Sequence, residues 1–136
     1  MSAPATAFLT LDDVLRLHKF AIEDQGGDPA ILNAGLLDAA LAMPQHQFGG
    51  MYLHPDIPSM AAAYAFHICK NHPFADGNKR AAFATMVAFL VINGWVLNAT
   101  NDEVEQTILT LASGQMSKEA LTAWVTDRAH ARGTTT

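Results

Sequence analysis

From Ala81 to Ile92 the chain runs twelve residues without a charge. The nine residues just ahead of that run, His72-Pro73-Phe74-Ala75-Asp76-Gly77-Asn78-Lys79-Arg80, carry an imidazole, a carboxylate, a glycine, an amide and two cations. An apolar stretch of this length behind a polar turn is expected to enter a core as a helix. Ala82, Phe83, Met86, Val87, Phe89, Leu90, Val91 and Ile92 fall on every side of it, and a helix apolar all round is buried. Residues 78–93 are therefore expected to form the central post of the fold, with Gly94 as the left-handed cap. The run is too short to span a bilayer. Its polar end is the arrangement that suits a phosphate: helix-start N–H groups face outward, the dipole favours an anion, and basic side chains stand close.

The rest of the chain reads as more helices. Thr10 with Asp13 resembles a capping pair, and Leu11, Val14, Leu15 and Ile22 recur at helical spacing up to Gly26-Gly27. Asn33 is placed to cap a helix over 34–43, stopped by Pro44. Residues 44–58 hold four of the chain's glycines and prolines between Gly49 and Pro58 and read as a long loop, with a strand-like piece at 50–54. A third helix is expected over 57–71, broken by Pro73. Two more follow, over 102–113 and 117–131. The expectation is an all-α single domain of about six helices around a buried one, with residues 1–9 a flexible lead-in, 10–131 the domain and 132–136 a tail.

Length and charge narrow the function. A chain of 136 residues can bury roughly 68–70% of its unfolded surface, so it needs no disulfide or metal staple. The formal charge of −5 argues against a broad electrostatic footprint for nucleic acid, and no direct nucleic-acid or membrane partner is expected. Lys79 and Arg80 then belong to a local site. The single cysteine, Cys69, excludes an intramolecular disulfide. The first residues carry no basic n-region, and a cytoplasmic location is the expectation.

Each residue of the nonapeptide has a chemical use. His72, with an ordinary pKa near 6.5, suits proton transfer from an attacking hydroxyl. Phe74 would anchor the turn in the core. Asp76 is a hard oxygen ligand of the kind offered singly to Mg²⁺ that already carries phosphates. Gly77 allows the backbone of an anion nest, and Asn78 either fixes the turn or bonds a phosphate oxygen. Lys79 and Arg80 supply the charge that phosphoryl transfer needs. Any one of these residues has a plain structural explanation; their order ahead of an apolar helix favours a site.

The stretch from His72 to Arg80 resembles the Fic/Doc signature, His-Pro/x-Phe-x-Asp/x-Gly/Ala-Asn-x-Arg. Lys79 resembles the Doc (death on curing) branch, where adenylyl-transferring Fic enzymes carry glycine. Leu11-x-x-x-Leu15-x-x-His18, the segment from Gly35 to Gln45 and Asn93-Gly94 agree with the same resemblance, which spans residues 9–125. It implies a toxin of a toxin–antitoxin pair, a kinase that uses ATP and Mg²⁺ to phosphorylate a threonine of elongation factor Tu and so arrests translation. His72 would activate the hydroxyl and Asp76 would hold Mg²⁺. Gly77, Asn78, Lys79 and Arg80 would bind the nucleotide, with Lys79 and Arg80 also catalytic. The alternatives are an adenylyl (nucleotidyl) transferase and a catalytically silent binding module. Some family members carry a polar residue one turn beyond the arginine; here it is Ala84. The self-inhibitory pattern Ser/Thr-x-x-x-Glu-Gly/Asn does not occur in this chain, which implies inhibition in trans by a cognate antitoxin.

The remaining residues carry plainer expectations. His18 reads as a satisfied core histidine. His67 and His72 are five apart, which is not the spacing of a helical zinc pair. His46, Tyr52 and His54 read as surface residues of a loop that would border the cleft. Cys69 reads as a small buried hydrophobe, and Trp95 and Trp124 as core or groove lining.

Overall fold

A computed structural model describes residues 5–133; the outer parts of the expected lead-in (1–4) and tail (134–136) lie outside the described residues. Six helices make up most of the chain: α1 (Leu11–Gln25), α2 (Ala34–Ala42), α3 (Ile57–Asn71), α4 (Asn78–Ile92), α5 (Asn101–Ala112) and α6 (Lys118–Arg128). A 3₁₀ turn, Met43–Gln45, extends α2 past the point where Pro44 removes the α-helical hydrogen bond. The loop read over 44–58 contains a short antiparallel hairpin, β1 (Gln47–Phe48) and β2 (Met51–Tyr52). A second pair, β3 (Trp95–Leu97) with β4 (Ala129–Ala131), joins the end of α4 to the end of α6. No helix among the described residues is long and apolar enough to cross a membrane.

Capping explains most of the helix starts. Thr10 and Asp13 form a reciprocal capping box, as do Asp56 with Ser59 and Thr100 with Glu103. Asn33 and Ser117 cap α2 and α6 through their side chains.

The central post is α3, and this corrects the expectation for residues 78–93. Pro58 through Ala65 and Ile68 are all buried, because the small side chains of Ala61, Ala62, Ala63 and Ala65, pointing to different sides of the helix, let neighbouring helices approach from several directions. It packs on α2, α4, α5 and α6. α4 lies beside it with Ala81, Ala82, Met86, Phe89 and Leu90 inward, while Val91 and Ile92 are exposed. The expected sixth helix also ends early. Its last residues, Ala129–Ala131, leave the helix to pair with β3, and Arg132 N–H donates to the Gly94 carbonyl.

The inner part of the lead-in is tied down. Ala7 exchanges two hydrogen bonds with the Asn93 side chain, and Leu9 N–H donates to the Tyr64 hydroxyl. Burial pushes that phenol up to about 12.

Candidate active site

The nonapeptide forms the turn between α3 and α4. His72 ends α3 in the left-handed conformation (φ 48°), donating its N–H to the Ile68 carbonyl. A non-glycine residue there is uncommon and points its side chain out of the helix end. Pro73 follows, and its carbonyl accepts from Leu32 and Asn33. Phe74 bridges to Ile31, and Ala75 N–H donates to the Ala30 carbonyl. The turn is thus zipped onto residues 30–33, a contact between segments some forty residues apart that no local sequence signal announces.

Two side chains lock the turn from inside. Phe74 is fully buried and its ring stacks on His18, with centroids 3.6 Å apart and planes 7° apart. Asn78, also buried, accepts from Phe74 N–H at 3.0 Å and donates to the Phe74 carbonyl at 2.8 Å. Its amide nitrogen also lies 3.1 Å from His72 Nδ1. Of the two uses considered for Asn78, the geometry supports fixing the turn and orienting His72. His18 is a satisfied core histidine as expected, but its partner is the motif itself: Nε2 lies 2.8 Å from the Asp76 carbonyl oxygen.

The outer side of the turn is open. Gly77 is the N-cap of α4 at φ 80°, and no side chain caps this helix, whereas each of the other five helices has a side-chain cap. Its first-turn N–H groups therefore have no side-chain acceptor at the cap, the kind of helix start that suits an anion. His72, Ala75, Asp76, Gly77, Asn78 and Lys79 line one cleft of about 300 Å³ together with Cys69 and Ala112. A larger cleft of about 710 Å³ shares His72 and Cys69 and runs along Phe66, Lys70, Gln115 and Met116. Burial pushes the Cys69 thiol up to about 11, with Lys79 acting in the opposite sense, so it is a poor nucleophile at neutral pH.

Asp76 and Arg80 are braced by the segment after α1. One Asp76 carboxylate oxygen accepts from Asp28 N–H at 2.8 Å, leaving the other without a partner among the described residues on an exposed side chain. Arg80 is not on the lining of the 300 Å³ cleft. Its guanidinium donates to the carbonyls of Ala21 and Gly26, at 2.8 and 3.1 Å, and so serves the C-terminal end of α1, whose last turn holds no basic residue. Asp28 and residues 30–32 were not singled out from sequence, and Asn33 was read only as a helix cap. His46, Tyr52 and His54 do not line either cleft at His72, and His54 is buried rather than on the surface.

A helical domain that presents this turn ahead of an uncapped helix meets what the nonapeptide implies. The Fic/DOC family profile matches residues 8–90, more than half of the chain, and the protein belongs to the Fic/DOC family. It is similar to a protein named Toxin Doc from Mycolicibacterium smegmatis, 40% identical over 97 residues that cover 71% of this chain and 72% of that one.

Proposed function

We propose that this protein is a Doc-like toxin of a toxin–antitoxin pair, acting in the cytoplasm as a protein kinase that moves the γ-phosphate of ATP onto a threonine of elongation factor Tu. The observation that carries the reading is the uncapped start of α4, with Lys79 exposed in its first turn and His72 in the same cleft. His72 takes the proton of the threonine hydroxyl as its oxygen bonds to the γ-phosphorus, and the bond to the ADP oxygen breaks. The helix-start N–H groups and the Lys79 ammonium carry the charge that spreads over the phosphoryl oxygens. Asp76 fits a Mg²⁺ ligand, since one carboxylate oxygen is fixed by Asp28 N–H and the other is not engaged. Bound there with the nucleotide, Mg²⁺ would neutralise phosphate charge.

Lys79 favours phosphoryl over adenylyl transfer. A glycine at this position would let two phosphates press on bare backbone, whereas a lysine stem fills that space and changes which phosphorus meets His72. The similarity to Toxin Doc and the absence of the inhibitory Glu pattern support restraint by an antitoxin in trans. Intact-mass spectrometry of elongation factor Tu after incubation with ATP tests the reading. A phosphoryl adduct on a threonine is expected. The much heavier adenylyl adduct would replace kinase by nucleotidyl transferase, and an unmodified target would leave a binding module.

A further inference from the structure

We propose that His18, on α1, is a positioning residue for the phosphate-binding turn. It holds the peptide between Asp76 and Gly77 so that the Gly77 N–H faces the cleft. This rests on the reading of the cleft as a nucleotide site. His18 is 3% exposed, and a buried imidazole is expected to hold a partner for the ring nitrogen it turns inward. Nε2 sits 2.8 Å from the Asp76 carbonyl oxygen, which can only accept, so Nε2 carries the proton. The stack on Phe74 keeps the ring from swinging away.

Peptide planarity does the rest. In a trans peptide the C=O and the following N–H point to opposite sides, and no cis bond occurs among the described residues. With the Asp76 carbonyl held inward against α1, the Gly77 N–H must point outward. Asp76 and Gly77 both line the cleft, and the Gly77 N–H has no protein partner among the described residues. The inner side is closed: a Cβ on Gly77 would stand 3.2 Å from Ile22 Cδ1 and 3.4 Å from the His18 ring. Were this peptide to flip, a carbonyl oxygen would replace a donor at the anion site. His18 therefore sets the sign of a backbone dipole in a cleft it does not itself enter.

The test uses full-length protein, Mg²⁺ and β,γ-imido-ATP. Wild type should bind the complex and shift the Gly77 amide resonance on titration. His18→Leu keeps an apolar filler but no donor; losing one aligned donor to a charged phosphate should weaken binding about tenfold or more and silence the Gly77 shift. His18→Gln offers an amide N–H near the place of Nε2 and should retain affinity within a few-fold. A folded His18→Leu variant that binds like wild type and shifts Gly77 alike overturns the inference alone. Wild type that binds no nucleotide overturns the site reading with it. Should His18→Leu fail to fold, the wild-type ring decides: long-range ¹⁵N spectra must show the proton on Nε2, and an Nε2 without one overturns the proposal.

Discussion

Two loops flank α3, and they are built on opposite plans. The turn at its C-terminal end, 72–77, is braced from the inside: Pro73 and Ala75 pair with residues 30–33, Asn78 closes the backbone around Phe74, and His18 and Asp28 hold Asp76. The hairpin ahead of its N-terminal end, residues 46–53, is held by two paired residues per strand and by Leu53 N–H on the His46 carbonyl. It leaves Phe48, Met51 and Leu53 exposed. The difference separates order from burial. The motif turn has its backbone paired, while its chemical side chains, His72, Asp76 and Lys79, stay exposed.

The largest expected effect tests that separation at His72. His72→Ala should lower transfer on the order of 10²–10⁴-fold, the usual cost of a missing general base. The thermal midpoint should fall only slightly, because the side chain is exposed and alanine, like histidine, carries a cost in the left-handed backbone, somewhat the larger of the two. Near-wild-type turnover would remove His72 from the chemistry. Phe74→Ala should do the reverse to stability. A fully buried ring that stacks on His18 is worth about 3–5 kcal/mol on truncation, read by chemical denaturation.

How much of this was legible follows the same divide. α3 matches its expected bounds, 57–71, because Asp56, Pro58 and Pro73 mark its ends locally. The strand-like piece expected at 50–54 covers β2, but its partner β1 and the pair β3–β4 did not announce themselves, since strands of two or three residues carry no periodicity and β3 meets β4 only across more than thirty residues. The apolar run 81–92 suggested a central post, yet burial is decided by neighbours, and the alanine-rich α3 has more of them. At the site, the residues of the turn were readable as a group. Their bracing was not: His18 looked like core, and nothing local ties residues 30–33 to Pro73.

Lys79 offers a smaller effect on the braced side. Lys79→Gly removes a cation from the first turn of α4, and transfer of label from γ-labelled ATP should fall about tenfold or more, as for losing a charge-assisted bond to phosphate. Stability should fall by no more than about 1 kcal/mol, the usual cost of a glycine at an exposed helical position. Label from α-labelled ATP, run in parallel, reads any adenylyl transfer. Unchanged γ-label transfer would make Lys79 a solvated charge and remove the main reason for a kinase.

Acid should find the hairpin side first. His67 is pushed down to about 4 by burial and then by Lys118, whose Nζ lies 3.4 Å from its ring; His54, beside the hairpin, is lowered by the same two causes in the same order. A depressed folded pKa means that the unfolded chain takes up the proton first. The stability that the neutral His67 ring contributes is full above about 6.5 and is lost as pH falls through about 4, and His54 acts in the same direction. His67→Gln should flatten the fall in thermal midpoint across that window, and a slope equal to wild type would show the ring to be solvated.

The smallest effect is expected at Phe48. It is 81% exposed, so Phe48→Ser removes little buried area, and denaturation should report a change within about 0.5 kcal/mol. What fixes the hairpin is its turn: Gly49 and Gly50 both take positive φ, 60° and 81°, the backbone that a two-residue hairpin needs and that side chains resist. Gly50→Val should therefore cost more stability than Phe48→Ser, although neither glycine has an atom within 4 Å of the place where its Cβ would stand. If Phe48→Ser instead destabilised the protein as much as Phe74→Ala, the hairpin would have to be packed in solution. The contrast between a loop ordered by backbone pairing and one left with open apolar side chains would then collapse.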